Sequence, residues 1–223
     1  MVGQAGAPIE GFYRFDDFLA NVNDPSITNA QTVLLGVNDH GDVVGLSVSG
    51  VGAFVRGFLY KDGAFQTVTV PGAGEVSPEA INNRGDIGGS YFIGSNSFGF
   101  LIKANNIETL PNPVSGLNYS GDVVGTLPGG MGYLLRNGVT TPITLPGSVN
   151  TLVTGVNDKG AIVGFGDTTG FVLKNGIFTK INYPADAFFT RLNGINNRGQ
   201  IVGFSIGPAG LTAFIATPVR TEE

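Results

Sequence analysis

Between Ala185 and Arg191 the chain reads Ala-Asp-Ala-Phe-Phe-Thr-Arg, setting an acid, two aromatic rings and a guanidinium side by side. An aromatic surface beside a hydrogen-bonding charge is how a site grips a sugar ring or a flat apolar ligand. Phe188 and Phe189 could equally plug the top of a core between packed sheets. Asn193, two residues beyond Arg191, is a further candidate to line that site. From other connections Arg56, Glu75, Tyr91 and Asn150 are candidates for ligand contact. Glu79 stands directly before a strand-forming run, where its carboxylate could meet a ligand. Glu79 and Asp186 could do acid/base work, with Arg191 stabilising developing charge; two carboxylates suit glycoside cleavage or a lyase. Asp24 and Asp167 are further carboxylates, read as solvated loop charges.

What the chain lacks narrows the chemistry. It has no cysteine and a single histidine, His40, so a Ser-His-Asp or Cys-His nucleophile system and the usual zinc sites are improbable. Asp39-His40-Gly41-Asp42 lacks the multi-ligand spacing of a calcium loop, so no metal is expected. Gly50-Val51-Gly52 and Gly129-Gly130 are not followed by the helix a phosphate loop needs, and no cofactor is expected.

The elements that must position these groups come from a repeat. Gly194 to Gly203 reads GINNRGQIVG, and the pattern recurs at Gly36 to Gly45, Ala80 to Gly89, Gly116 to Gly125 and Gly155 to Gly164. A second pattern lies between these copies: glycine-aromatic, an apolar alternation around a tight turn, then proline, as in Gly57 to Pro71 and Gly170 to Pro184. Apolar and polar residues alternating around Asp62-Gly63 or Asn175-Gly176 mark β-hairpins. The asparagines Asn38, Asn82, Asn118, Asn157 and Asn196 follow one another at 44, 36, 39 and 39 residues. A period near 40 with four strands per unit is the arithmetic of a propeller blade. The expected fold is therefore an all-β, five-bladed β-propeller of four-stranded antiparallel blades, one domain over residues 1–223.

The asparagines are explained by turn chemistry, since Asn bonds its own backbone two residues on and the following glycine takes positive φ. An asparagine ring that binds metal or water is the alternative. The ends carry an outer strand pair, Gly11 to Pro25, and a final strand, Thr212 to Thr217, expected to complete the last blade from both termini. Which of them takes the third position is open, and residues 1–9 and 219–223 are expected to fray. In a four-stranded meander the short repeated turns share one end and the variable connections the other, where function is usually placed.

These motifs resemble the extracellular repeats of the HAF family, whose units carry a Gly-Phe or His-Ala-Phe strand and a G-I-N-x-x-G-x-I-V-G hairpin. The match spans about Gly11 to Pro218, with Ala213-Phe214 similar to the family's Ala-Phe and Tyr119-Ser120 the largest departure. The resemblance implies a propeller-like repeat architecture and a secreted setting, and it brings no catalytic set. A net charge of −5 and the absence of adjacent Lys/Arg residues argue against a nucleic-acid partner. No apolar run is long enough to span a membrane and residues 1–10 are unlike a signal peptide. The expected partner is a small molecule or carbohydrate in one site at the loop-lined end of the propeller axis. An enzyme in the same pocket and a protein-interaction scaffold are the competing readings.

Overall fold

In the computed structural model, residues 2–5, 10–15, 18–25, 27, 31–49 and 55–218 are described, with side chains from Asn21 onward. All regular structure among them is β. The protein is a five-bladed β-propeller whose blades each begin with one copy of the repeated hairpin. Blade one is β4 (Gln31–Val37), β5 (Val43–Val48), β6 (Val55–Lys61) and β7 (Ala64–Thr67), and blade two is β8 (Glu75–Ile81), β9 (Ile87–Ile93), β10 (Asn96–Lys103) and β11 (Asn106–Leu110). Blade three is β12 (Val114–Leu117), β13 (Val123–Leu127), β14 (Met131–Arg136) and β15 (Val139–Ile143). Blade four is β16 (Thr151–Val156), β17 (Ile162–Gly166), β18 (Thr169–Lys174) and β19 (Ile177–Ile181). The last blade holds three strands, β20 (Phe189–Ile195), β21 (Ile201–Gly207) and β22 (Gly210–Ala216).

At the ends, hydrogen bonding settles the open question. The C-terminal β22 takes the third position, pairing antiparallel with β21 from Ile201↔Ala216 to Gly207↔Gly210. The N-terminal strands β1 (Val2–Ala5), β2 (Glu10–Phe15) and β3 (Phe18–Val22) pair with one another in a three-stranded sheet of their own. Residues 2–5, expected to fray, are thus a paired strand, because β2 offers them a complete edge. The expectation for residues 1, 6–9 and 219–223 falls outside the described residues.

The chain divides into two compact units, Met1–Val114 and Ser115–Glu223. In both, the repeat's apolar pair explains the packing. Along the second strand of a blade consecutive side chains point to opposite faces, and both faces are covered by neighbouring sheets, so the run is apolar without alternation. In the first unit Val43 packs with Val22, Leu34 and Phe58, whereas Val44 packs with Val76, Ile87 and Phe100 on the other face. In the second unit Ile162 joins Val153 and Phe171 while Val163 joins Leu192 and Ile201. Burying each such side chain contributes about 1.5–3 kcal/mol.

The two sequence patterns meet across one pair of strands. The glycine closing each inner hairpin lies opposite the aromatic of the next strand: Gly45↔Phe58, Gly89↔Phe100, Gly125↔Tyr133, Gly164↔Phe171 and Gly203↔Phe214. At Gly164 an added Cβ would lie 2.9 Å from the Phe171 ring, which is fully buried, and against the Leu152 carbonyl as well. The ring fills the space the missing side chain leaves.

The asparagines do more than make turns. Asn157 Oδ1 accepts from the backbone N–H groups of Lys159 and Ala161 at 3.1 and 3.0 Å, the local bonding expected from sequence. Its amide also donates to the Asn196 carbonyl of the following blade at 3.0 Å. Asn38 reaches the Asn82 carbonyl and Asn118 the Asn157 carbonyl in the same way, each at 3.2 Å. Both ends of these amides are consumed by backbone, which leaves the metal-ring alternative without free ligands at these positions. Gly160, at φ 72°, adopts the left-handed conformation the turn requires.

Candidate functional site

In the second unit the start of β20 is held firmly. The buried Thr190 hydroxyl accepts the Tyr183 N–H at 3.2 Å, and the Thr190 N–H donates to the Thr168 carbonyl at 2.8 Å. Thr151 does the same for Leu145 N–H at 2.9 Å, so this threonine is a repeated peg for the connection entering a blade. Leu192, on the far side of Arg191, is fully buried against Val163 and Ile201. Arg191 therefore projects from a backbone pinned on both flanks.

Its guanidinium carbon sits 5.0 Å from the centre of the Phe165 ring, in cation–π range. Phe165 meets Phe189 edge-on at 5.6 Å between ring centres, and Phe189 meets Phe204 at 5.9 Å. Arg191 Nε is buried with no hydrogen-bond partner, and no hydrogen bond or ion pair of this guanidinium is formed among the described residues. Phe188 is 66% exposed, its backbone N–H tied to the Ile206 carbonyl at 2.8 Å. Of the two aromatics, Phe189 joins the cluster and Phe188 faces solvent.

Phe165 and Phe204 were not singled out from sequence. Both follow the closing glycine of the inner hairpin, where the first three repeats hold Leu46, Ser90 and Thr126. An aromatic at this one position in only the last two repeats is the signal that was available. It needed the pairing Arg191↔Phe204 across β20 and β21 to acquire meaning.

The surrounding loop groups are already committed. Asp167 accepts the backbone N–H groups of Val149 and Asn150 at 2.9 and 3.0 Å, and these bonds hold its carboxyl below the usual range. Asn150 thus serves as a loop staple through its backbone. Asn193 is exposed at the β-bulge between Leu192 and Gly194. Asp186 makes no ion pair with Arg191; it lines a separate cleft of about 100 Å³ with Pro184, Ser205, Gly207, Pro208 and Thr212.

The remaining candidates lie in the first unit. Glu79 occupies the bulge of β8 between Pro78 and Ala80, and its Oε1 accepts the Ser90 hydroxyl at 2.8 Å. Glu79 is itself partly buried, and the protein packed around it desolvates the carboxyl and raises its pKa above 4.5, a rise the Ser90 bond partly offsets. The equivalent bulge residue in blade four, Thr154, donates its hydroxyl to the carbonyls of Val163 and Leu192 at 3.2 and 2.6 Å. A carboxyl has replaced a structural hydroxyl at Glu79. Arg56 pairs with the buried carboxylate of Asp24, which also accepts the Ser47 hydroxyl at 2.8 Å. Asp24, read from sequence as a solvated loop charge, is instead 3% exposed, because this cation and hydroxyl replace its water. Tyr91 is buried with Val76, Ile87 and Phe100 and stacks on Phe98 at 5.5 Å, so its ring is core. Glu75 is exposed at the start of β8.

Among the described residues no group of three or more His, Cys, Asp or Glu side chains is placed to hold a metal ion. Among the described residues no helix is long and apolar enough to cross a membrane.

No family model matches the chain, and no curated protein matches it. Solved structures do. The crystal structure of a protein proposed to be a gluconolactonase aligns over 95% of this chain and 82% of its own, with TM-score 0.54 and 14% identity. A triple arginine-to-alanine mutant of AofleA from Arthrobotrys oligospora aligns over 93% of this chain and 76% of its own, with TM-score 0.48 and 10% identity. At these identities the first likeness is one of fold alone, which agrees with the propeller that the repeats build.

Proposed function

We propose that the protein is a ligand-binding module whose small-molecule or carbohydrate site lies at the variable-loop end of the second unit, around Arg191, Phe165 and Phe189. The observation that carries this reading is the half-buried Arg191 guanidinium, fixed on an aromatic face and lacking any counter-charge among the described residues. A structural arginine is ordinarily satisfied, as Arg136 is by two bonds to Asp122 at 2.8 and 2.7 Å. Divergence of the repeats supports a single site, because the aromatic at this position belongs to the last two units only. The resemblance of the repeats to the HAF family adds an extracellular setting to the proposal. A panel of sugars and sugar acids, read by calorimetry on the intact protein and on Phe189→Ala, tests it. We expect one ligand class to bind and the variant to lose about tenfold in affinity, ~1.4 kcal/mol. Binding unchanged by Phe189→Ala would move the site elsewhere.

A second reading, an enzyme using carboxylate acid/base chemistry, is favoured by Glu79. A carboxyl kept protonated into a higher pH range by burial is the form a general acid needs. Lactone or glycoside turnover abolished by Glu79→Gln with folding retained would support it, and turnover retained in that variant would remove Glu79 from any catalytic role.

A further inference from the structure

We infer that the Arg191 site takes a ligand that bears a carboxylate directly on a ring, a deepening of the binding reading above that rests on it. Arg191 and Arg56 both have a buried Nε without a hydrogen-bond partner, but only Arg56 has an ion pair among the described residues. Arg191 Nε is cut off from water and has no acceptor, so one N–H of a strong, permanently charged donor group is left unmade in the free protein. The terminal Nη groups make no hydrogen bond or ion pair among the described residues either, and these are the donors a ligand can reach. A planar carboxylate matches the two terminal Nη groups, which unlike Nε are not closed off from solvent, in the parallel two-bond fork that a hydroxyl or an ether oxygen cannot make.

Local charge is consistent with an anion. Asp167, whose loop adjoins β20 through Thr168, has both oxygens engaged by the Val149 and Asn150 N–H groups. Asp186 lies in its own cleft and forms no pair with Arg191. No carboxylate pairs with Arg191 among the described residues, and Phe165 lies 5.0 Å from its guanidinium carbon. Phe189, half-buried in contact with Phe165 and Phe204, extends the aromatic surface that begins at Phe165. A ring with an apolar face fits beside its carboxylate there. Uronic acids and aromatic carboxylic acids share this chemistry and differ in the hydroxyl groups around the ring.

Titration calorimetry on the full chain distinguishes these cases, with glucuronate, galacturonate and benzoate as probes, glucose and galactose as neutral counterparts, and the methyl ester of each acid as the control that leaves the protein untouched. We expect at least one acid to bind, its methyl ester to bind at least tenfold more weakly, and Arg191→Gln to reduce the acid's affinity to that of the ester. Binding by the uronates alone assigns a saccharide acid, and binding by benzoate alone assigns an aromatic one. Neutral sugars binding as tightly as their acids, with Phe189→Ala weakening both, would overturn the carboxylate inference while leaving a ligand site in place. Failure of every acid to bind at millimolar concentration overturns the inference, and failure of neutral sugars as well counts against the binding reading itself.

Discussion

Single side chains in this protein divide by whether their partners are inside the chain. Arg136 and Asp122 satisfy one another, and the Arg136 bonds hold the Asp122 carboxyl below its usual value of 3.8. A depressed carboxyl stabilises the fold above its unfolded pKa, and that contribution is lost as pH falls through the lower folded value. Asp122→Asn should therefore flatten the acid side of the stability profile below about pH 4, measured by urea unfolding across pH. Glu79 has the opposite sign. With its folded pKa raised above 4.5, its contribution is complete below 4.5 and declines as pH rises through the folded value, because the unfolded state ionises first. Glu79→Gln should match the parent protein at pH 4 and gain on it progressively at higher pH. A constant difference between the two across that range would show that Ser90 bonding, not desolvation, governs the site.

At the scale of strands and hairpins, each blade is held by interactions that the repeat renews. Asn157→Ala removes two acceptor bonds inside the turn and one donor bond to the next blade. At roughly 1 kcal/mol per net bond and more for stranded buried donors, the loss should be about 2–4 kcal/mol. Asn196→Ala, whose turn lies in exposed surroundings at the last blade, should cost less. Chemical denaturation of the two variants side by side checks the order. Gly164→Ala tests the other device, the Phe171 ring packed on the glycine. Neither the ring, which is buried, nor the Leu152 carbonyl can withdraw, so a loss of about 1–3 kcal/mol from overpacking is expected. An unchanged denaturation midpoint would mean that the strands can part without penalty.

For the molecule as a whole, a net charge of −5 with no adjacent basic residues predicts that the protein passes through an immobilised DNA matrix without retention at low salt, and binding there would point to a basic surface hidden from composition. The blades were legible in the amino-acid sequence because their determinants are local: asparagine-glycine turns, a two-residue alternation and a recurrence near 40 residues need only neighbours along the chain. The pinned loop at Ala185 to Arg191 was legible as a candidate for the same reason, being contiguous. What joins residues distant in sequence was not. Asp24 and Arg56 are 32 residues apart and pair only after β4, β5 and β6 align. Tyr91 has the composition of a binding residue and the environment of a core one, a difference that exists only once Phe98 and Val76 close over it. Repeat identity and turn chemistry thus determined the blades from sequence alone, whereas tertiary structure decided which charges are spent. Arg191 and Arg56 look alike in the chain, but the folded protein gives Asp24 to one and an aromatic face to the other, because pairing across blades depends on register that no local pattern encodes.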